Sequence, residues 1–132
     1  MPELPEVETV RRGLADLLPG QAVVRATVFD SPKSFPNSPA DVQQFLYGAH
    51  VTAVRRRAKV LMIDLDTCYS LVIHLKMTGQ LIFRGANSFA GGHPNDSLIG
   101  ELPDRSTRVQ IDFTDGSRLF FNDQRKFGWM KL

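Results

Sequence analysis

The 132-residue sequence contains a single cysteine, Cys68, and no hydrophobic run long enough to span a bilayer. One cysteine excludes a disulfide within the chain and a zinc site built from several cysteines. The absence of about 18 consecutive apolar residues argues against a transmembrane helix. The acidic, proline-bearing start does not match a secretory signal peptide. These absences indicate a reducing, cytoplasmic setting without membrane attachment.

Neither positive nor negative charge is in large excess, since the formal net charge is +2. Composition alone therefore argues only weakly for an anionic partner. The positions of the charges are more informative: three arginines and Lys59 fall within residues 55–59, and Arg125 and Lys126 are adjacent. Hydrophobic residues make up 42% of the chain, which is enough for the core of one domain of ordinary size.

Hydrophobic periodicity predicts a helix at the start of the chain. In residues 5–18, apolar side chains recur at the spacing of one buried helical face. Prolines and glutamates near its beginning suit the first helical turn and the helix dipole. A second, short helix is predicted from Pro39 to about Tyr47, with Ser38 as its N-cap.

The rest of the chain predicts strands. The run at 22–29 and the short apolar runs after Val51 give about eight mostly antiparallel strands. TDGS at 114–117 is a hairpin signal, whereas residues 85–105 are rich in Gly, Pro, Asn and Asp and predict an exposed loop. The fold class is therefore α+β, a β-sandwich or barrel with an N-terminal helix and one further short helix.

The opening stretch, MPELPEVETVRRGL, allows two interpretations. Capping preferences alone explain prolines and glutamates at a helix start, and composition favours this simpler interpretation. Removal of Met1, however, would leave Pro2 with a secondary amine that is partly neutral near neutral pH and can attack an electrophilic carbon. Glu3 and Glu6 are close enough in sequence to give or take protons.

Two further segments carry basic or methionine side chains. If RRRAK lies on a strand, Arg55, Arg57 and Lys59 share one face at a pitch that can track phosphates, although such runs are more often solvated surface. HLKMTG brings His74 and Met77 to the end of an apolar strand. An isolated histidine or methionine is more often structural than functional.

NDQRKFGWM, residues 122–130, surrounds Gly128 with Arg125, Phe127 and Trp129. Arginine can contact phosphates or base edges, and an aromatic ring can stack on bases or slip between them. A hairpin edge with inward-packed aromatics is an equally good interpretation of this segment alone. Three segments with basic, aromatic or methionine side chains in one small domain favour DNA or RNA over a small metabolite as the partner. The sequence contains no G-x-S-x-G, no HExxH and no phosphate-cradling glycine loop ahead of a helix.

In their order along the chain, MPELPEVETVRRGL, RRRAKVLMIDL, IHLKMTGQL and NDQRKFG resemble the N-terminal domain of bacterial formamidopyrimidine-DNA glycosylase. That family's fold, a helix-bearing β-sandwich followed by a helical domain, agrees with the pattern above. The resemblance implies a bifunctional DNA glycosylase and AP lyase of base-excision repair, monomeric and located in the bacterial cytoplasm. Its implied substrate is double-stranded DNA that contains oxidised purines, such as 8-oxoguanine and formamidopyrimidines, or abasic sites.

The resemblance also assigns catalytic roles. It implies that Pro2 attacks C1′ of the damaged nucleotide and forms a Schiff base, which leads to β/δ-elimination. Glu3 resembles the acid that protonates the sugar ring oxygen, and Glu6 a carboxylate that supports the site near the amine. Lys59 matches a lysine that contacts phosphate and assists the elimination.

Further matches imply DNA contacts. His74 and Arg57 would face the DNA, while Met77, Arg125 and Phe127 match the trio that fills the gap left by a flipped nucleotide. The chain departs from the family pattern at three places. It has HLKMTG where the family commonly has HLGMSG, DQRKFG where the family has DPRRFG, and RSTRV where the family has a KHDHV-like stretch. The last change puts Ser106 where a DNA-contacting histidine is usual.

We therefore expect residues 1–132 to be the N-terminal catalytic domain of a longer protein. The family's second domain carries a helix–two-turn–helix and a four-cysteine zinc finger, so zinc is expected there and no cofactor or metal in this chain. Weak DNA binding and little activity are expected of the chain alone. Two alternatives remain open: an endonuclease VIII-like enzyme for oxidised pyrimidines, and a non-catalytic domain that recognises damaged DNA.

Overall fold

The computed structural model describes residues 4–29, 34–76, 78–92, 100–123 and 128–132, which form two helices and nine strands. In chain order these elements are α1 (Leu4–Leu17), β1 (Val23–Val28), α2 (Pro39–Phe45), β2 (Val51–Arg57), β3 (Val60–Leu65), β4 (Ser70–His74), β5 (Gly79–Arg84), β6 (Phe89–Gly92), β7 (Thr107–Phe113), β8 (Arg118–Asp123) and β9 (Trp129–Lys131).

Two antiparallel sheets make up the body of the domain. The larger sheet has the strand order β1-β7-β8-β5-β6, and the smaller has the order β2-β3-β4-β9. Backbone hydrogen bonds between residues 20–23 and 48–51 join the start of β1 to the start of β2, so the two sheets are connected there. This arrangement confirms the predicted α+β sandwich.

Alternating burial along the strands builds the core between the sheets. In β3, Leu61, Ile63 and Leu65 are buried while the residues between them are half-buried. In β4, Leu71 and Ile73 follow the same pattern. Successive strand side chains point to opposite faces, so these apolar runs each give one face to the core.

Helix α1 packs its apolar face against β2 and β6. Val7, Val10 and Leu14 are almost fully buried, and the helix bounds agree with the predicted 5–18 to within one residue at each end. Gly20, with φ of 91°, follows the helix and turns the chain towards β1. The apolar residues that recur at helical spacing in the sequence are therefore the residues that contact the sheets.

Strand β6 corrects the prediction of one long exposed loop over 85–105. The glycines that suggested a loop are instead required by close packing. A Cβ atom on Gly91 would lie 2.7 Å from Cγ2 of Val10, and one on Gly92, where φ is 107°, would lie 2.9 Å from Cα of Gln80. Glycine is a turn signal, but it is equally the residue that lets a strand approach a helix.

Two local predictions are confirmed by hydrogen bonds. The Oγ of Ser38 accepts from the Asp41 amide at 3.2 Å and so caps α2. The TDGS turn joins β7 to β8, with Gly116 at φ of 88° and the Asp115 carboxylate accepting the Ser117 amide at 2.9 Å. Both motifs depend on neighbouring residues only, which is why the sequence predicts them.

Replacing Leu14 with alanine is expected to destabilise the domain by about 2–5 kcal/mol, because the side chain of Leu14 is fully buried on the face of α1 that packs against the sheets. Urea unfolding at neutral pH measures this change. Leu4→Ala on the same helix is the matched control, since Leu4 is 43% exposed, and it should change stability by less than about 1 kcal/mol. Similar losses for both variants would contradict the packing of α1.

Candidate nucleic-acid interface

The smaller sheet brings its candidate residues together at one end. The β2–β3 turn lies there because Arg57 pairs with Val60 across the hairpin. His74, the last residue of β4, is opposite Val60, and Trp129, the first residue of β9, is opposite His74. The strand register therefore places these segments side by side, although they are far apart in sequence.

The larger sheet meets the smaller one at this same end. Gly79, the first residue of β5, is opposite Asp123, the last residue of β8, and donates its amide to the Leu75 carbonyl at 2.9 Å. Gly128 donates its amide to the Asp123 carboxylate at 2.5 Å. A Cβ atom on Gly128 would lie 2.8 Å from the His74 carbonyl oxygen. Backbone atoms of the two sheets and of the residues that adjoin their strands are thus in contact at this end.

Helix α1 points its first turn towards this end. Gly13 packs on the ring of Phe89 at the start of β6, while Val10 packs on Gly91 further along that strand. The helix and β6 are therefore antiparallel. Glu6, exposed in the first turn, lies towards the place where β6 finishes beside the start of β5.

One carboxylate ties α1 to β2. Oε1 of Glu8 accepts from Nε of Arg56 at 2.9 Å and from Nε of Arg11 at 2.8 Å. Oε2 accepts from Nη2 of Arg11 at 2.7 Å and from Nε of Arg12 at 2.9 Å. These hydrogen bonds, first from Arg11 and then from Arg56, hold the pKa of Glu8 well below its ordinary value.

This cluster was not predicted from the sequence. The spacing of Glu8 to Arg11 and Arg12 is a recognisable helical pairing pattern. The hydrogen bond to Arg56 joins residues 48 positions apart and has no local signal.

The residues of the RRRAK segment have different environments. Arg55 forms a two-point ion pair with Asp64 on β3, with distances of 2.5 and 2.9 Å. Strand β2 ends at the exposed Arg57, and Ala58 turns the chain with φ of 52°. Lys59 is half-buried in that turn. The predicted row of three cations on one strand face is therefore wrong, because the strand stops before Lys59.

His74 is half-buried and has a defined hydrogen-bonding state. Its Nδ1 accepts from the Lys76 amide at 3.0 Å, and its ring lies 6.0 Å from that of Trp129. Burial lowers the pKa of His74, and the charges of Lys76 and Lys59 lower it further. A neutral ring whose Nδ1 accepts a hydrogen bond carries its proton on Nε2, which is then a donor for a phosphate oxygen.

A buried carboxylate anchors the segments around the candidate site. Asp123 is fully buried; its carboxylate accepts from the hydroxyl of Thr78 and from the amide of Gly128. Its backbone carbonyl accepts from Nε of the buried Arg108 at 2.8 Å, and its amide donates to the Ser106 carbonyl at 2.8 Å. The burial of Asp123 was not predicted from the sequence, since a carboxylate at a strand-to-loop junction carries no signal of burial.

Ser106 lies next to this anchor and is buried rather than exposed. Its amide and its hydroxyl both donate to Oδ1 of Asp104, at 2.8 and 2.7 Å. The hydroxyl therefore already has an acceptor within the chain. A contact between Ser106 and DNA stays a prediction.

The predicted nucleophile, acid and wedge residues lie outside the described residues; these are Pro2, Glu3, Met77, Arg125 and Phe127. The described residues that adjoin them in sequence are Leu4, Thr78 and Gly128. Of the other candidates, Arg57, Lys59 and His74 share the same end of the sandwich, and Glu6 lies in the helical turn that points towards it.

Within the described ranges, no three or more His, Cys, Asp or Glu side chains form a group that could hold a metal ion. None of the helices in these ranges is long and apolar enough to cross a membrane.

Comparison with known proteins adds a family match. The family model described as the formamidopyrimidine-DNA glycosylase N-terminal domain matches residues 1–130. The chain is 44% identical over 134 residues to the formamidopyrimidine-DNA glycosylase of Jannaschia sp. and 40% identical over 132 residues to that of Chloroflexus aurantiacus. Each alignment covers 100% of this chain but only 44% and 43% of those relatives. The chain thus spans less than half the length of these proteins.

Solved structures give the same answer for the fold. A Lactococcus lactis Fpg in complex with DNA containing N7-benzyl-Fapy-dG superimposes with a TM-score of 0.79 at 26% identity, over 98% of this chain and 43% of that protein. A MutM in complex with DNA containing carbocyclic 8-oxo-G has a TM-score of 0.79 at 27% identity, over 98% and 44%. The L. lactis Fpg complex with abasic-site DNA has a TM-score of 0.78.

Replacing Glu8 with glutamine is expected to flatten the acid side of the stability profile. Folding depresses the pKa of Glu8, so its ionised form stabilises the protein above the ordinary carboxyl pKa, and this stabilisation is lost as the pH falls below that value. Between about pH 5 and pH 3 the Tm of the wild type should therefore fall more steeply than that of Glu8→Gln. Asp16→Asn, an exposed carboxylate on α1, is the control. Equal slopes in all three proteins would contradict the role of the cluster.

NMR titration of the imidazole protons should give His74 a pKa below the ordinary histidine value. Burial is the largest cause and the two lysines follow, so Lys59→Gln should raise this pKa only part of the way. Arg118→Gln removes an equal charge at the opposite end of β8 and should leave the pKa of His74 unchanged. An unshifted wild-type pKa, or no response to Lys59→Gln, would contradict the described environment.

Proposed function

The chain belongs to the formamidopyrimidine-DNA glycosylase family, as its N-terminal domain, and on that basis we propose that it is the catalytic domain of a DNA glycosylase and AP lyase. The proposed substrate is double-stranded DNA that contains an oxidised purine, such as 8-oxoguanine or a formamidopyrimidine, or an abasic site. The observation that carries the proposal is the meeting of Arg57, Lys59 and His74 with the first turn of α1 at one end of the sandwich.

The charges at this end suit a nucleic-acid backbone. Lys59, Arg57 and the Nε2 donor of His74 are the kinds of group that bind phosphate oxygens, and such contacts position DNA without reading its sequence. The structural relatives were solved with DNA that carries damaged or abasic nucleotides, which supports the same partner for this chain.

Pro2 is the proposed nucleophile. Once Met1 has been removed, the proline nitrogen has a free lone pair that forms a bond to C1′ of the damaged nucleotide, while the glycosidic bond breaks and the base leaves with its electron pair. The departing base takes up the proton that the nitrogen loses after the attack. Glu3 then protonates the ring oxygen as the C1′–O4′ bond opens, and the nitrogen becomes the iminium of a Schiff base. With Met1 attached, the same nitrogen is part of a planar amide and cannot react in this way.

Strand cleavage would follow from the Schiff base. The iminium makes a C2′ proton acidic; its removal expels the 3′ phosphate, and a second elimination expels the 5′ phosphate. Lys59 is proposed to contact phosphate and to stabilise the negative charge that develops as it leaves. Glu6, on the first turn of α1, is proposed to support the amine.

Access to C1′ requires that the nucleotide leave the base stack. Met77, Arg125 and Phe127 are proposed to fill the space it vacates, since apolar wedges and stacking groups lower the cost of an unstacked duplex. Asp123 supports this proposal through its hydrogen bonds to Thr78 and Gly128, the described residues that directly follow those wedge segments.

We further propose that the chain acts as the N-terminal domain of a longer protein whose second domain completes the DNA clamp and holds the zinc. The chain's coverage of only 44% of the Jannaschia relative supports this division. Isolated residues 1–132 would then bind DNA weakly and excise little or no damaged base.

Borohydride trapping on duplex DNA that contains 8-oxoguanine or an abasic site tests these roles. A full-length protein that contains this chain should form a covalent adduct, Pro2→Gly should abolish it, and Glu3→Gln should slow base excision by about 100-fold or more. Intact-mass measurement of the same samples determines whether Met1 has been removed. The 132-residue chain, assayed in parallel, should trap far less DNA.

Asp16→Asn serves as the control, because it removes an exposed carboxylate in the last turn of α1, at the opposite end of the helix from its first turn. It should trap DNA as well as the wild type. Adduct formation that survives unchanged in both Pro2→Gly and Glu3→Gln would refute the assignment. So would robust trapping by a protein that retains Met1.

A further inference from the structure

Strand β7 carries one extra residue where it runs beside the end of β8. Thr107 is opposite Asn122 in the strand register. The next pair in the register joins Val109 to Phe121, so two steps along β7 correspond to one step along β8. Arg108 is therefore the extra residue of a β-bulge. Bulges re-aim a side chain, and they are common beside functional sites.

The side chain of Arg108 is directed into the protein rather than to solvent. The residue is only 5% exposed, and its Nε donates to the backbone carbonyl of Asp123 at 2.8 Å. The backbone of Arg108 is fixed as well, because its carbonyl accepts from the Phe29 amide at 2.8 Å. A buried arginine with a hydrogen-bonded backbone has few accessible rotamers, so the position of its Nε donor is well defined.

The backbone of Asp123 is held on both its polar groups by the segment that contains the bulge. Its amide donates to the Ser106 carbonyl at 2.8 Å, and its carbonyl accepts from Arg108. The carboxylate of the same residue accepts from the Thr78 hydroxyl and the Gly128 amide. A chain of hydrogen bonds therefore runs from the bulge in β7 to the start of β5 and to the residue that precedes β9.

We propose that Arg108 is a positioning residue for the candidate interface: its hydrogen bond fixes Asp123, and Asp123 in turn fixes Gly128. The inference rests on the proposed function, because the four residues between Asp123 and Gly128 include the proposed wedge residues Arg125 and Phe127. Arg108 is too deeply buried to contact DNA, so its effect on base excision passes through Asp123 alone.

The contact depends on a hydrogen-bond donor at this position. Asp123 is fully buried, and a buried acceptor that is deprived of its donor costs more free energy than the hydrogen bond contributes. One N–H group of Arg108 makes the bond to the carbonyl. Lysine can supply one such donor and the same charge, whereas methionine has a similar length but supplies neither. Arg108→Lys should therefore retain the positioning, and Arg108→Met should lose it.

Amide hydrogen exchange of the 15N-labelled 132-residue chain, followed by NMR, tests the positioning directly. Gly128 is the reporter, because its amide donates to the Asp123 carboxylate at 2.5 Å. Val51 is the reference, since its amide donates to the Gln21 carbonyl at 2.8 Å at the end of β2 remote from the interface. The ratio of the Gly128 rate to the Val51 rate is expected to rise about 10-fold or more in Arg108→Met and to stay near the wild-type value in Arg108→Lys.

A full-length protein that contains this chain is then assayed on duplex DNA with 8-oxoguanine under single-turnover conditions. Arg108→Met should slow excision at saturating enzyme about 10-fold and change the affinity for the duplex by less than about 3-fold, because the proposed phosphate contacts of Arg57 and Lys59 are unaltered. Arg108→Lys should restore most of the rate. Arg118→Gln, which removes an exposed arginine at the opposite end of β8, is the control and should match the wild type.

An unchanged ratio of exchange rates in a folded Arg108→Met variant would overturn the inference, as would excision as fast as that of an active wild type. Equal losses in Arg108→Met and Arg108→Lys would also overturn it, because the donor would then be irrelevant. If Arg108→Met does not fold, Arg108→Gln, whose side chain is too short to reach the carbonyl, takes its place with the same expected results. A wild type that excises nothing would refute the proposed function, and the exchange ratio would still decide the role of Arg108.

Discussion

The burial of one face of α1 against β2 and β6 fixes the direction in which the start of the chain approaches the candidate site. Apolar burial supplies most of the energy, about 1.5–3 kcal/mol for each side chain such as Val10 or Leu14, but it is non-directional and would tolerate a helix that slides or rotates. The hydrogen bond from Arg56 to Glu8 removes that freedom, because it joins one point on the helix to one point on β2. The close approach at Gly13 and Gly91 fixes the depth of packing.

A second constraint acts on the loops at the same end. A buried carboxylate is tolerated only with hydrogen-bond donors around it, and Asp123 obtains them from Thr78 and Gly128. Loss of either donor would leave a buried charge incompletely satisfied, which is more costly than the hydrogen bond is stabilising. The segments beside the predicted wedge residues are therefore held by a buried anchor, while Arg57 is exposed.

The sequence predicted the parts of the structure that depend on neighbouring residues. The helix at 4–17, the Ser38 cap and the β7–β8 hairpin all have signals within a few positions. Strand β6 was missed because its glycines serve packing with α1 and β5, which the sequence does not display. The Glu8–Arg56 contact and the burial of Asp123 were missed for the same reason: each joins elements that only the folded register brings together.

Lys76 shows how a departure from the family pattern changes the chemistry of the interface. Its φ of 55° lies in the left-handed region, where a glycine is relaxed and a lysine is strained by about 1 kcal/mol. Its amide would donate to Nδ1 of His74 whatever the side chain, so the hydrogen bond does not explain the lysine. Burial is the main cause of the lowered pKa of His74, and the positive charge of the Lys76 side chain lowers that pKa further. At a surface proposed to hold DNA, that charge also attracts phosphate.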